Sequence, residues 1–390
     1  MFNTTRHDSP SHRNLRYPAF RRLLRSRLAR AASLAVPVAA SALIVSIGNT
    51  PAHAVGSQAD PSATVAGVTW HKLTLINGWK SSQSTWITGN PSYAIKGGVV
   101  YLSGSLHGGT PSSNFAILPK AARPAHWLYL AIATQNGTLG TLRIQSDGEM
   151  SVYSTPATNA TTFSSLAAVS YPTAMMTQHN FTLMNGWASA QAPFGTGDPA
   201  YAVKNGIVYV SGSLKNGTAS DFGLLPVGAR PSSIIYRGTY TLQGAYGEAY
   251  FEPGGFAGAI LTSASKVYTS LAGISFPAPS VTQHKLTLLN GWKSAQKPFS
   301  AGAFSYAVKN GIVYLSGGVK QPSGTNGLVA VLPKAARPTH NLWLTVYTSS
   351  GTPGKLYIRR NGQVIVGCSL DPNAPRVLTS LAAISYPRNS

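Results

Sequence analysis

The sequence predicts an all-β protein built of three tandem antiparallel β-sandwich or jelly-roll-like modules. The chain repeats itself at a period of about 105 residues, too long for a solenoid and the size of a whole domain. Asn-Gly pairs stand between short β-prone runs, the strongest short-range hairpin signal. Among 390 residues, 39 glycines and 26 prolines punctuate runs that show no helical period after the N-terminal segment.

That N-terminal segment reads as an address. Arg6, Arg13, Arg16, Arg21, Arg22, Arg25, Arg27 and Arg30 stand against one acid, Asp8, and an apolar run follows from Ala31 to Ile47. It ends in Ala52-His53-Ala54, a small-x-small cleavage site. Residues 1–54 are therefore expected to be a secretory signal peptide. The apolar run, interrupted by Pro37, is short for a membrane anchor, so no span is expected after cleavage. Residues 55–70, rich in Ala, Ser, Gly and Thr, read as a flexible leader. The expected location is extracellular or cell-wall associated.

Losing those residues removes eight arginines and one aspartate, which lowers the net charge from +22 to +15. Such a surface favours anionic polymers through screened long-range attraction. The lysines are dispersed rather than bunched, which speaks against nucleic acid as the partner. A single cysteine, Cys368, excludes an intrachain disulfide and a cysteine-based zinc cluster, and reads as a small buried hydrophobe.

The modules are expected over residues 71–172, 179–277 and 284–387, joined by connectors of six residues. Connectors this short predict modules that pack against one another. Each module opens on the same pattern, from His71 to Asn77-Gly78-Trp79, His179 to Asn185-Gly186-Trp187 and His284 to Asn290-Gly291-Trp292. A hairpin follows. Tyr201 to Val210 and Tyr306 to Leu315 each set Asn-Gly between two strands, and the first copy has Lys96-Gly97-Gly98 there. A two-residue type I′ turn would place Val203 opposite Val208 and Tyr201 opposite Val210, and alternation would send Ala202, Lys204, Ile207 and Tyr209 to the other face. Leu118-Pro119, Leu225-Pro226 and Leu332-Pro333 come next, followed by Arg123-Pro124, Arg230-Pro231 and Arg337-Pro338. Further strands are expected at Trp127 to Thr134, Thr141 to Gln145 and Met150 to Tyr153, with bends at Asn136-Gly137 and Asp147-Gly148. Ser165 to Pro172, Ser270 to Pro277 and Ser380 to Pro387 close the three copies with one shared pattern.

This order of motifs, Asn-Gly-Trp, then Tyr-x-Val-Lys-Asn-Gly-x-Val-Tyr-Leu-x-Gly, then Leu-Pro and Arg-Pro, resembles the distal β-sandwich modules of phage and prophage tail-fibre and receptor-binding proteins. The resemblance covers each copy nearly end to end. It implies docking to bacterial envelope saccharides, often as trimers, and supplies no catalytic motif. A signal peptide and the lack of a fibre shaft set this chain apart and point to a secreted, host-encoded relative. Three copies in one chain would then build an intrachain pseudo-trimer, with an extended row or a homo-oligomer as alternatives.

The candidate ligand residues are Lys96 and Tyr101, Lys204 and Tyr209, and Lys309 and Tyr314 on the non-core face of each hairpin, together with Trp79, Trp187 and Trp292. Packing between modules competes with ligand contact for the tyrosines, and a core plug is the stronger reading of each tryptophan. Arg123, Arg230 and Arg337 suit a loop-anchoring hydrogen bond better than an anionic ligand. His71, His179 and His284 would converge on a threefold axis, but isolated strand histidines are usually packing residues, and neither a metal nor a cofactor is expected. The eight acids beyond residue 54, among them Asp147 and Glu149, occupy no position common to all three copies, and no nucleophile elbow, zinc-protease motif or phosphate loop is present. The function expected is non-catalytic recognition of envelope or extracellular polysaccharide through repeated weak sites that gain avidity by linkage. A self-assembling surface protein and a glycan hydrolase with one active module are the rivals.

Overall fold

The structure is a computed structural model that describes residues 67–321, 326–368 and 373–390. The expected signal peptide, and the leader up to residue 66, lie outside the described residues. What is described is all-β and antiparallel.

The hairpins form as the turn chemistry requires. Asn205 and Gly206 have φ of 53° and 77°, Asn310 and Gly311 of 52° and 76°, and Gly97 and Gly98 of 60° and 78°. Positive φ at both central residues is the type I′ turn, which fixes the register. Tyr201 pairs with Val210 and Val203 with Val208, as that turn demands.

In each sequence repeat the hairpin is the centre of a four-stranded sheet. In the first repeat its spatial order is His71–Lys72, Ser92–Lys96, Val99–Ser103 and Ser170–Pro172. The closing motif of the repeat thus returns to pair with the second hairpin strand, and the same order recurs in the other two repeats. A second set of four strands lies at Leu128–Ala133, Leu139–Ile144, Glu149–Ser154 and Asn114–Ile117. Val100 and Leu102 from the first sheet share one buried cluster with Leu130, Leu142 and Ile144 from the second, which is sandwich packing. Equivalent clusters form around Val208 and Phe251, and around Val313 and Leu356.

Among the described residues six short α-helices interrupt the strands, including Gln83–Trp86, Ala157–Thr162 and Ser263–Val267. None was visible in the sequence, because spans of four to six residues are too short to show a 3.6-residue stripe. In Ser263–Val267 a reciprocal pair of bonds between Thr262 and Ser265 caps the first turn.

One buried polar contact distinguishes the repeats. The Tyr171 hydroxyl donates to the Ala122 carbonyl and the Tyr386 hydroxyl to the Ala336 carbonyl, each at 2.8 Å, whereas the second repeat has Phe276. Tyr171→Phe should therefore fold and cost about 1–2 kcal/mol, the penalty for leaving a buried carbonyl without its donor. Urea unfolding measures it, and an unchanged midpoint would contradict the assignment.

The repeats touch one another in a cyclic sense. Trp127 donates its backbone N–H to the Gly195 carbonyl (3.0 Å), Ile234 to Ser300 (3.0 Å) and Asn341 to Ile87 (2.9 Å). The three acceptors occupy equivalent turns and all have left-handed φ, at 69°, 53° and 55°. The closing turns complete the same cycle from the other side, each packing on the preceding repeat. Ala167 of the first repeat packs into the core of the third, Ala272 of the second against the core of the first, and Ala382 of the third into that of the second. The segment before His71 is tied to the C-terminal end, where Trp70 Nε1 donates to the Asn389 carbonyl at 2.8 Å.

Candidate functional site

Alternation along the hairpin decides which residues meet between the repeats. Val208 and Val210 face the sandwich core, so Ala202, Ile207 and Tyr209 face away from it. Of these, Ile207 and Tyr209 gather with Ala94, Val99, Tyr101, Ala307, Ile312 and Tyr314 in one apolar cluster drawn from all three repeats. The outer face of each hairpin is therefore an inner face of the molecule.

Lys96, Lys204 and Lys309, with Tyr101, Tyr209 and Tyr314, line a single cavity of about 350 Å³ together with the hairpin-turn residues Gly97, Asn205 and Asn310. Each lysine pairs with the residue just after the turn, and each tyrosine lies two positions further along the strand. The lysines thus stand at the hairpin tips and the tyrosines deeper. The volume falls at the small end of the ligand-pocket range.

The tyrosines are only 2–6% exposed. Tyr209 and Tyr314 bring their hydroxyls within 3.2 Å of each other, and Tyr101 belongs to the same cluster. Burial, above all, raises the pKa of all three, so the phenols remain protonated donors at neutral pH. Behind them runs a row of serines: Ser170, Ser275 and Ser385 pair with Tyr101, Tyr209 and Tyr314 across the strands. The Ser385 hydroxyl lies 3.4 Å from that of Ser170 and 3.2 Å from that of Ser275. Neither these serines nor the turn asparagines stand out as ligand residues in the sequence alone. The shared Ile/Val-Ser step in each closing motif is the signal that marks the serines.

The remaining candidates are placed elsewhere. Trp79, Trp187 and Trp292 are 4–5% exposed, and their indole N–H groups donate to the Ser113 hydroxyl, the Ala219 carbonyl and the Asn326 carbonyl. The glycine backbone at Gly109 and Gly217 presses on the rings of Trp79 and Trp187. With their rings enclosed, these tryptophans have no face for a pyranose, and the ligand reading passes to the lysines and tyrosines. Arg123, Arg230 and Arg337 each donate from Nε to the leucine carbonyl five residues back, at 3.0, 3.2 and 2.9 Å, which anchors the loop. His71, His179 and His284 are exposed and pack on Tyr93, Tyr201 and Tyr306 of the neighbouring strand rather than on one another. Among the described residues no three His, Cys, Asp or Glu side chains gather as metal ligands. Asp147 accepts the Glu149 backbone N–H, and Glu149 accepts from the Asn114 and Gln145 side-chain amides.

No helix among the described residues is long and apolar enough to cross a membrane. No protein-family model, curated protein or solved structure matches the chain.

Proposed function

We propose that the protein is a secreted, non-catalytic receptor for an anionic envelope or extracellular polysaccharide, and that its three sandwich modules are arranged about a common axis. The observation that carries the reading is the shared cavity, to which every repeat contributes one lysine and one tyrosine. Three ammonium groups at the rim favour a carboxylate or phosphate, and protonated phenols deeper in the cavity offer donors to its oxygens. The reading differs from three separate weak sites: one composite site forms from three copies. The cyclic contacts between repeats favour a closed ring, since a head-to-tail contact repeated three times closes only about a threefold axis. That arrangement also gives physical sense to the resemblance to trimeric receptor-binding modules.

Two measurements test the proposal. Titration with purified teichoic-type and uronate polymers at low and high salt should show binding that weakens with salt, and binding that neutral glycans do not reproduce. A variant with Lys96→Gln, Lys204→Gln and Lys309→Gln should bind at least about tenfold more weakly, a loss of about 1.4 kcal/mol, with unchanged stability. Equal affinity of the triple variant would remove the cavity from the reading. Solution scattering of the secreted form should give a compact particle, and an elongated profile would remove the ring.

A further inference from the structure

A second cavity, of about 30 Å³, lies among strands from all three repeats. Arg237, Thr239, Tyr240, Trp343 and Thr345 contribute its polar lining, beside Leu130 and Ile384. Arg237 is the third residue of Ile235–Tyr240, the place held by Leu130 in Leu128–Ala133 and by Leu344 in Leu342–Thr348. The second repeat thus inserts a guanidinium where the others have a core leucine.

Nothing acidic compensates it. Among the described residues Arg237 makes no hydrogen bond or ion pair with a carboxylate. Glu248, on the facing strand, pairs with Gly238, so alternation sends it to the opposite face of the sheet from Arg237. The Thr239 and Thr345 hydroxyls are buried and have no hydrogen-bond partner. A cation and two orphaned donors therefore surround one small void. Desolvation lowers the pKa of the half-buried Arg237.

We propose that this cavity holds one monoatomic anion of the chloride class, balanced by Arg237 and hydrogen-bonded by Thr239 and Thr345. Water would satisfy the hydroxyls but bring no charge to the half-buried guanidinium, whereas an anion does both, and hydrogen bonds to a charged partner are the stronger ones. The space admits one or two water-sized particles, which fits a halide and is tight for a tetrahedral oxyanion. The site is independent of the lysine-lined cavity and of the ligand proposed for it.

Melting of the intact protein in sodium chloride, sodium bromide and sodium gluconate of equal ionic strength tests the idea. Halide should raise the melting temperature by a few degrees in a saturable way, because an anion that binds only the folded state stabilises it. Arg237→Leu, which restores the residue type of the other repeats, should abolish the halide effect, while the lysine-to-glutamine triple variant should retain it. Crystals grown in bromide should show an anomalous peak in the cavity, a readout that does not depend on any variant folding. Identical melting of the parent protein in halide and gluconate, a halide effect that survives Arg237→Leu, or a bromide-free cavity would each overturn the proposal.

Discussion

Gly212→Ala is expected to destabilise the protein by at least about 3 kcal/mol, and Gly104→Ala and Gly317→Ala to do the same. Each glycine ends the motif that begins at the hairpin, and each has strongly positive φ, at 84°, 86° and 91°. A methyl group added there would land on the backbone carbonyl of Asp198, Asn90 or Ala303, and would come within 2.7, 2.6 and 2.8 Å of the next backbone nitrogen. Backbone cannot rotate aside as a side chain can, so strain and clash act together. Gly228 is the matched control. Its added methyl group meets nothing within 4 Å, and the other repeats already have Ala121 and Ala335 in its place. Gly228→Ala should stay within about 0.5 kcal/mol of the parent or gain slightly through the unfolded state. Chemical unfolding of the four variants checks this, and comparable midpoints for Gly212→Ala and Gly228→Ala would refute the argument.

The contrast between these glycines shows what the sequence could and could not say. Asn205-Gly206 dictates a turn type, the turn dictates register, and register dictates which side of the hairpin holds Tyr209; all of that is local and therefore legible. Whether that side meets solvent or another repeat depends on contacts some 105 residues apart, such as Tyr209 with Tyr314. Pattern alone left both possibilities open. The enclosed tryptophans depended likewise on a glycine some 30 residues downstream of each, at Gly109 and Gly217. Arg237 escaped notice for another reason: a lone arginine in a strand reads as a solvent-facing charge. Setting the three repeats in register against Leu130 and Leu344 is the step that exposes it as an anomaly.

Glu248 gives the second large effect, a stability that falls as pH rises. It is 8% exposed in Tyr246–Phe251, and burial is the main cause that pushes its pKa up to about 7, with a hydrogen bond to Tyr347 of the third repeat working weakly the other way. A glutamate in the unfolded chain titrates near 4.3. Between those two values the folded state holds the proton more tightly than the unfolded state does. The number of protons bound is then larger in the folded form, and stability declines with pH across that window before levelling off above about 7. At about 1.36 kcal/mol per unit, the full loss is about 4 kcal/mol. Other carboxylates titrate in the same range, so the informative quantity is the difference between the parent and Glu248→Gln, which stays neutral at every pH. That difference should be small near pH 4 and should grow to as much as about 4 kcal/mol in favour of the glutamine variant by pH 8. Because Tyr347 belongs to another repeat, and its own pKa is raised first by burial and then by the Glu248 charge, the loss falls on the contact between the second and third repeats. Unfolding curves of the two proteins that run parallel from pH 4 to 8 would show that Glu248 is ionised without penalty, and that the contact with Tyr347 is open to water.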